Sequence, residues 1–403
     1  MRIDMVGKPV VGGTLRRTLN TQAASINHRW CGLTSARTEA PSSWKQRDYH
    51  NRASFGSDIG HLKLKSFIRR KNDIPTQGQP FYVTTRLASS SSSPSGPGPI
   101  LLESEKFVPP QSSDHEPHSP IIILHGLFGS KQNWRSLAKR LSQATQKTVF
   151  TLDLRNHGES QATPGFTSYL DYSSDVKHFM TTNNLKDVIL IGHSMGGKVA
   201  MSLALSESSS NSNREGSDLI KKLVAVDISP AKGPISKSFQ VYIDGFKEIN
   251  SRPVSSRKEA DEILTKYEPD LGRRQFLLTN LKKVERDGAE GQGTPHYEIR
   301  LPVEVLEAQL ASNQVGDFPF EIPRTEPAPG SASTQSQPPS VRFHKPSLFI
   351  KGARSKYINK YNIPTIAAFF MNHRLVVLDT DHWVHAEKPN EFIQTVVDFV
   401  KEE

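Results

Sequence analysis

Ser194 stands between glycines in Gly192-His193-Ser194-Met195-Gly196-Gly197. A serine hydroxyl attacks an acyl carbonyl only when it is held exposed, relieved of its proton by a base and faced by donors for the oxyanion that forms. The flanking residues suit the first condition. Val188-Ile189-Leu190-Ile191 reads as a strand entering the turn, and residues 195–206, small and apolar, read as a helix leaving it. A serine at such an apex projects from the top of a sheet. The N–H of Met195, at the helix start, faces the same point as one oxyanion donor. The pentapeptide alone arises by accident in a chain this long with a frequency of roughly one in ten. A capping serine on a tight turn is the plain alternative, so the rest of the chain has to decide.

A base must come from elsewhere. Asp381-His382-Trp383-Val384-His385 follows a predicted strand near the C-terminus. Residues just past the carboxyl ends of strands gather at one edge of an α/β sheet, which places His382 to reach Ser194. His385 is the rival, expected to hydrogen-bond locally at the start of the last helix. A second oxyanion donor is expected from the turn after an earlier strand, His125-Gly126-Leu127-Phe128-Gly129, with the N–H of Leu127 preferred and that of Phe128 second. The orienting acid normally sits in the loop after the strand at 347–351, but residues 327–378 contain no Asp or Glu. Asp227, in Val224-Ala225-Val226-Asp227-Ile228-Ser229-Pro230, lies one strand earlier beside the elbow strand and takes that role, with Ser355 as a supporting partner. A helix N-cap is the alternative use of Asp227.

Other clusters carry less. Residues 153–160, DLRNHGES, read as a hydrogen-bonded loop in which Asp153 and His157 stabilise a turn. His125, His157, His382 and His385 lack metal-site spacing and the only cysteine is Cys31, so no metal is expected. The glycines at 192–197 are not followed by the Lys-Ser/Thr of a phosphate loop. No cofactor is expected.

The elements that must position these residues alternate. Strands are predicted at 100–109, 121–124, 148–152, 188–191, 223–227, 347–351 and 375–378. Helices are predicted at 134–142, 172–183, 195–206 and 389–401. This rhythm implies a mostly parallel α/β sheet. Residues 229–324 break it with a largely helical pattern and read as a cap. Within it, Phe239, Tyr242, Phe246 and Phe276 could line an acyl pocket, but are expected mainly to pack the core of the cap. Residues 208–217 and 326–340, rich in Ser, Gly, Pro and Gln, read as disordered insertions.

The net charge of +10 is uneven. Residues 1–86 hold 15 Lys and Arg against 5 acids, and the rest of the 403-residue chain carries 36 of each sign. A neutral body argues against a nucleic-acid surface. With one cysteine the fold cannot rely on an internal disulfide, and no apolar run approaches the roughly 20 residues of a membrane span. Peripheral contact is the closest approach to a membrane that this composition suggests. The arm 1–99 is Arg- and Ser-rich, poor in acids, carries an amphipathic stretch at 59–70 and ends in a Ser/Gly/Pro linker at 89–99. It reads as a mitochondrial transit peptide handled by import machinery.

HGLFGSKQNW, DLRNHGES, IGHSMGGK, VAVDISP and HWVHAEKP, in this order over residues 100–403, resemble the α/β-hydrolase superfamily. They are similar more narrowly to the group of abhydrolase domain-containing protein 11, its fungal mitochondrial relatives and small bacterial esterases. The resemblance implies an α/β-hydrolase fold with a helical cap, a Ser194-Asp227-His382 triad acting on a small ester or acyl substrate, and mitochondrial residence. It departs at Asp381, where relatives usually carry Gly. Acyl transfer to an alcohol and thioester cleavage use the same acyl-enzyme and stay open. A non-catalytic role in a mitochondrial complex is the reading from a different class.

Overall fold

Continuous apolar runs become strands here because helices cover the sheet on both faces. In the computed structural model, residues 3–5, 98–110, 119–165, 167–210, 219–285, 295–323 and 341–402 are described. The strands among them are β1 Ile3–Met5, β2 Ser104–Phe107, β3 Ile121–Leu124, β4 Val149–Leu152, β5 Val188–His193, β6 Ile220–Val226, β7 Leu281–Val284, β8 His296–Ile299, β9 Ser347–Gly352 and β10 His373–Leu378. The helices are α1 Arg135–Thr145, α2 Tyr169–Thr182, α3 Met195–Ser210, α4 Ser238–Asn250, α5 Arg257–Leu264, α6 Leu271–Leu277, α7 Val303–Ala311, α8 Ile363–Phe369, α9 Val384–Glu387 and α10 Pro389–Lys401. Residues 6–97 of the basic arm, with Cys31 and residues 59–70, lie outside the described residues, as do 211–218 and 324–340.

Eight strands form one sheet in the order β1-β10-β9-β6-β5-β3-β4-β2. Each pairs parallel with its neighbours except β2, which is antiparallel to β4. Alternation along β3 sorts its side chains between two cores. Ile122 and Leu124 join Val176 of α2 and Val199 of α3 on one face. Ile121 and Ile123 join Leu141 of α1 and Val396 of α10 on the other. Local signals set the helix ends. Ser168 accepts from the Asp171 N–H while the Asp171 carboxylate accepts from the Ser168 N–H, which caps α2. Pro389 opens α10 where no N–H partner is needed.

The cap leaves the sheet after β6 and returns before β9. It holds α4–α7 and the antiparallel hairpin β7–β8. The hairpin escapes sequence reading because Leu281-Lys282-Lys283-Val284 and His296-Tyr297-Glu298-Ile299 are short and polar. The ends of the cap meet. The Gly233 N–H donates to the Gly316 carbonyl at 2.9 Å, and a Cβ on Gly316 would lie 2.1 Å from the Gly233 oxygen. Buried Lys198 of α3 donates to the carbonyls of Gly316 and Asp317 at 2.9 and 2.7 Å. Burial pulls its ammonium pKa down to about 8. No helix among the described residues is long and apolar enough to cross a membrane.

Register fixes what lies at the carboxyl edge. Leu124 of β3 pairs with Gly192 of β5, and His193 with Val226 of β6. Val226 pairs with Ile350 of β9, and Gly352 with Leu378 of β10. The residues that follow these strands, at 125–129, 194, 227, 353–357 and 379–385, therefore emerge side by side.

Candidate active site

The elbow at Ser194 is built by exclusion. The chain passes from β5 into α3 through one residue, Ser194, whose φ is +52°. A bulky neighbour would obstruct so sharp a turn. A Cβ on Gly192 would lie 2.2 Å from the Gly196 carbonyl oxygen, and one on Gly196 would lie 2.4 Å from that of His125. The Ser194 N–H donates to the Val226 carbonyl at 3.0 Å, which pins the apex to β6. Met195 is the first residue of α3, where a helix leaves its N–H groups without internal partners.

Asp227 occupies the equivalent turn after β6, also with a left-handed φ of +49°. Its carboxylate is fully buried and accepts three hydrogen bonds. The Gly352 N–H reaches Oδ1 at 3.0 Å, while the Ser355 hydroxyl and His382 Nδ1–H reach Oδ2, the latter at 2.7 Å. Asp227, Ser355 and His382 are thus brought together from β6, the loop after β9 and the loop after β10. The Asp227 side chain faces the imidazole rather than capping a helix. The His382 ring packs between Tyr357 at 4.2 Å and His193 at 4.7 Å. The His193 Nε2–H donates to the His382 carbonyl at 3.1 Å. Burial, and the Asp227 charge after it, push the Tyr357 hydroxyl up to about 12, so it stays protonated.

Ser194 and His382 line one pocket together with Leu127 and Phe128 from the turn after β3. That turn closes through the Gly129 N–H to the Gly126 carbonyl at 2.9 Å. The same carbonyl accepts from His125 Nδ1–H at 2.8 Å, while His125 Nε2 accepts from the Leu154 N–H at 3.0 Å. This arrangement is a neutral imidazole, consistent with burial lowering the His125 pKa. Burial also lowers His193, and takes His157 and His385 down to about 3. Of these rings, His193 is the one in contact with His382.

The cap supplies the opposite wall. Phe239, Tyr242 and Phe276 line the pocket and also pack against the core, whereas Phe246 is fully buried against Phe128. Phe239 and Tyr242 come from α4 and Phe276 from α6. Trp383 also lines it, and its position next to His382 in sequence was the available signal. His385 does not make the local bond expected of it at Nδ1, which has no partner. Its ring instead stacks on Trp134 at 4.1 Å. Asp381 turns outward to Arg354 at 3.0 Å, in an exposed cluster with Asp379 and Glu387.

The loop at 153–160 is closed by hydrogen bonds to Asp153. Asp153 accepts from the Lys131 N–H and ammonium, each at 2.6 Å, and from the Glu159 N–H at 2.9 Å. A Cβ on Gly158 would overlap its carboxylate.

Comparison with known proteins places this architecture. A family model described as the alpha/beta hydrolase fold matches residues 119–389. A Saccharomyces cerevisiae protein named "Probable alcohol acetyltransferase" is 36% identical over 294 residues, 71% of this chain and 78% of that protein. The sn-1-specific diacylglycerol lipase ABHD11 of Danio rerio is 35% identical over 288 residues, 70% of this chain and 78% of the lipase. Among solved structures, a marine microorganism esterase is similar with a TM-score of 0.59 and 31% identity, covering 74% of this chain and 99% of the esterase. The paired strand ends, the glycine-bound serine and these matches converge on one statement: the chain belongs to the alpha/beta hydrolase family.

Proposed function

We propose that the protein cleaves carboxylic esters, short-chain or acyl-lipid, through an acyl-enzyme on Ser194. The observation that carries this reading is the 2.7 Å bond between His382 Nδ1 and buried Asp227, with His382 and Ser194 lining the same pocket. His382 takes the Ser194 proton at Nε2 as the oxygen attacks the acyl carbonyl, and returns it to the leaving alcohol. Water then repeats the sequence on the acyl-enzyme. Asp227 holds the tautomer and offsets the imidazolium charge, and Ser355 fixes the carboxylate. The N–H groups of Leu127 and Met195 receive the oxyanion, with Phe128 N–H as the alternative to Leu127, each worth about 3 kcal/mol. The esterase likeness and the lipase relative support hydrolysis. No metal or cofactor enters the scheme.

A fluorophosphonate probe tests it. The purified protein is expected to be labelled, and Ser194→Ala to lose both labelling and turnover. An unlabelled wild type sinks the enzyme reading, and so favours the non-catalytic role. Labelling that survives in Ser194→Ala sinks the site.

The relative named for alcohol acetylation favours a second reading, in which an alcohol replaces water at the deacylation step. A pocket walled by Phe239, Phe276 and Trp383 limits competing water and supports it. Product analysis with an acetyl thioester, with and without an alcohol, separates ester formation from simple thioester cleavage.

The arm 1–99 is proposed as a transit peptide that delivers residues 100–403 to mitochondria, its charge pattern being the support. A fluorescent fusion of the full chain is expected in mitochondria, and one lacking the arm in the cytosol. Identical distributions would remove the proposal.

A further inference from the structure

The donor turn holds a strained residue. Phe128 has a φ of +61°, and bulky L-residues keep that conformation only when their surroundings impose it. Its anchors come from the cap. The fully buried ring makes edge contacts with Phe239 and Phe246 of α4, centroid to centroid at 5.9 and 5.3 Å. Its carbonyl accepts from Asn280 Nδ2–H at 2.8 Å, across 152 residues of sequence.

Asn280 is itself fixed. It is 1% exposed, its Nδ2 also donates to the Leu277 carbonyl at 3.2 Å, and its own carbonyl accepts from the Arg300 N–H at 2.9 Å. Oδ1 is buried without a partner. A flipped amide would set that oxygen against two carbonyl oxygens, so the nitrogen faces the turn. The end of α6 and the donor turn thus meet on the Asn280 side chain, while the segment after β8 holds its main chain.

We propose that Asn280 is a positioning residue for the oxyanion turn. The Phe128 carbonyl shares its peptide plane with the Gly129 N–H, which closes the turn onto the Gly126 carbonyl at 2.9 Å; by fixing that plane Asn280 holds the closed turn from which the N–H groups at 127 and 128 point. Donors of this kind contribute only when aimed at the oxyanion. The hole is therefore complete only while the cap is seated, and a cap that lifts takes away both anchors of Phe128 together. The proposal rests on the acyl-enzyme reading above.

The test compares the full-length wild type with Asn280→Ala and Asn280→Asp on p-nitrophenyl acetate, and measures inhibition by a trifluoromethyl ketone, whose hemiketal oxyanion occupies the same hole. In Asn280→Ala, kcat is expected to fall about 10- to 100-fold with KM changed less than about threefold. Ketone inhibition should weaken in parallel with kcat/KM. Asn280→Asp should be the worse variant, because a carboxylate offers only acceptors to the Phe128 carbonyl. A merely structural role would lower the melting temperature and leave kcat and ketone affinity in place. That outcome overturns the proposal, as does a loss confined to KM. If neither variant folds, Phe246→Leu, which loosens the Phe128 ring away from the pocket, must give the same signature at smaller size, and an unchanged kcat there overturns the proposal. A wild type that neither turns over ester nor takes fluorophosphonate defeats the acyl-enzyme reading and this proposal with it. An active wild type with unaffected variants defeats the proposal alone.

Discussion

Gly192, Gly196 and Gly197 leave no spare volume at the elbow, where an added Cβ meets the Gly196 carbonyl, the His125 carbonyl or the Ile228 side chain within 2.4 Å. Across the pocket, Phe239 and Phe276 of the cap are only partly buried and meet it with side chains. The sheet edge is set by strand register and backbone contact, the cap wall by aromatic packing. The proposed serine, acid and histidine stand on the first, and the proposed substrate wall on the second.

The contrast can be broken from either side. Asp227→Asn keeps the shape at the sheet edge and removes the charge that orients His382, so kcat should fall by about 10⁴ with the fold intact. Phe239→Ala, on the cap, should raise KM by about tenfold or change acyl-chain preference while fluorophosphonate labelling persists. Ser355→Ala leaves Asp227 its bonds from Gly352 and His382 and should cost the least, about three- to tenfold in kcat. Steady-state kinetics on a chain-length series reads all three. If Phe239→Ala abolishes labelling, or Ser355→Ala matches Asp227→Asn, the division of labour is wrong.

A smaller effect comes from the histidines around the edge. His157 and His385 have pKa values near 3, and His125 and His193 are also lowered from 6.5, burial being the leading cause in each. Below pH 6.5 the unfolded chain binds protons that the folded chain refuses, so stability falls as pH drops from about 6.5 toward 3. His385→Phe preserves an aromatic stack on Trp134 and removes one such group. Urea unfolding across that pH range should show a slope lower by about one proton than in the wild type, whereas an unchanged slope would mean that His385 is protonated in the fold.

Much of the sheet edge was legible in the sequence. Buried parallel strands leave uninterrupted apolar runs, and their carboxyl ends fall at one edge, so Ser194, Asp227 and His382 could be placed together across 188 residues. The missing acid after β9 left Asp227 as the carboxylate within reach, and the structure puts it 2.7 Å from His382. The cap was less legible. Its aromatics look the same in sequence whether they face a pocket or a core. The polar hairpin β7–β8 lacks the alternation that marks a strand, and α8, with Pro364 in its first turn, is not among the predicted helices. Nothing local ties Asn280 to Phe128, because that contact exists only once the cap is seated.

The bond between Gly233 and Gly316 has one more consequence. A segment whose two ends touch is topologically a side loop, and the sheet does not register its length. Lengthening such a loop costs free energy only as the logarithm of its size, roughly 0.6 kcal/mol per doubling. Anchored over α3 by Lys198, the stretch between the two glycines can change in size without moving β6 against β9, provided that Asn280 keeps its bond to the Phe128 carbonyl. The serine, acid and histidine can thus be inherited unchanged while the chamber above them is rebuilt for another acyl group.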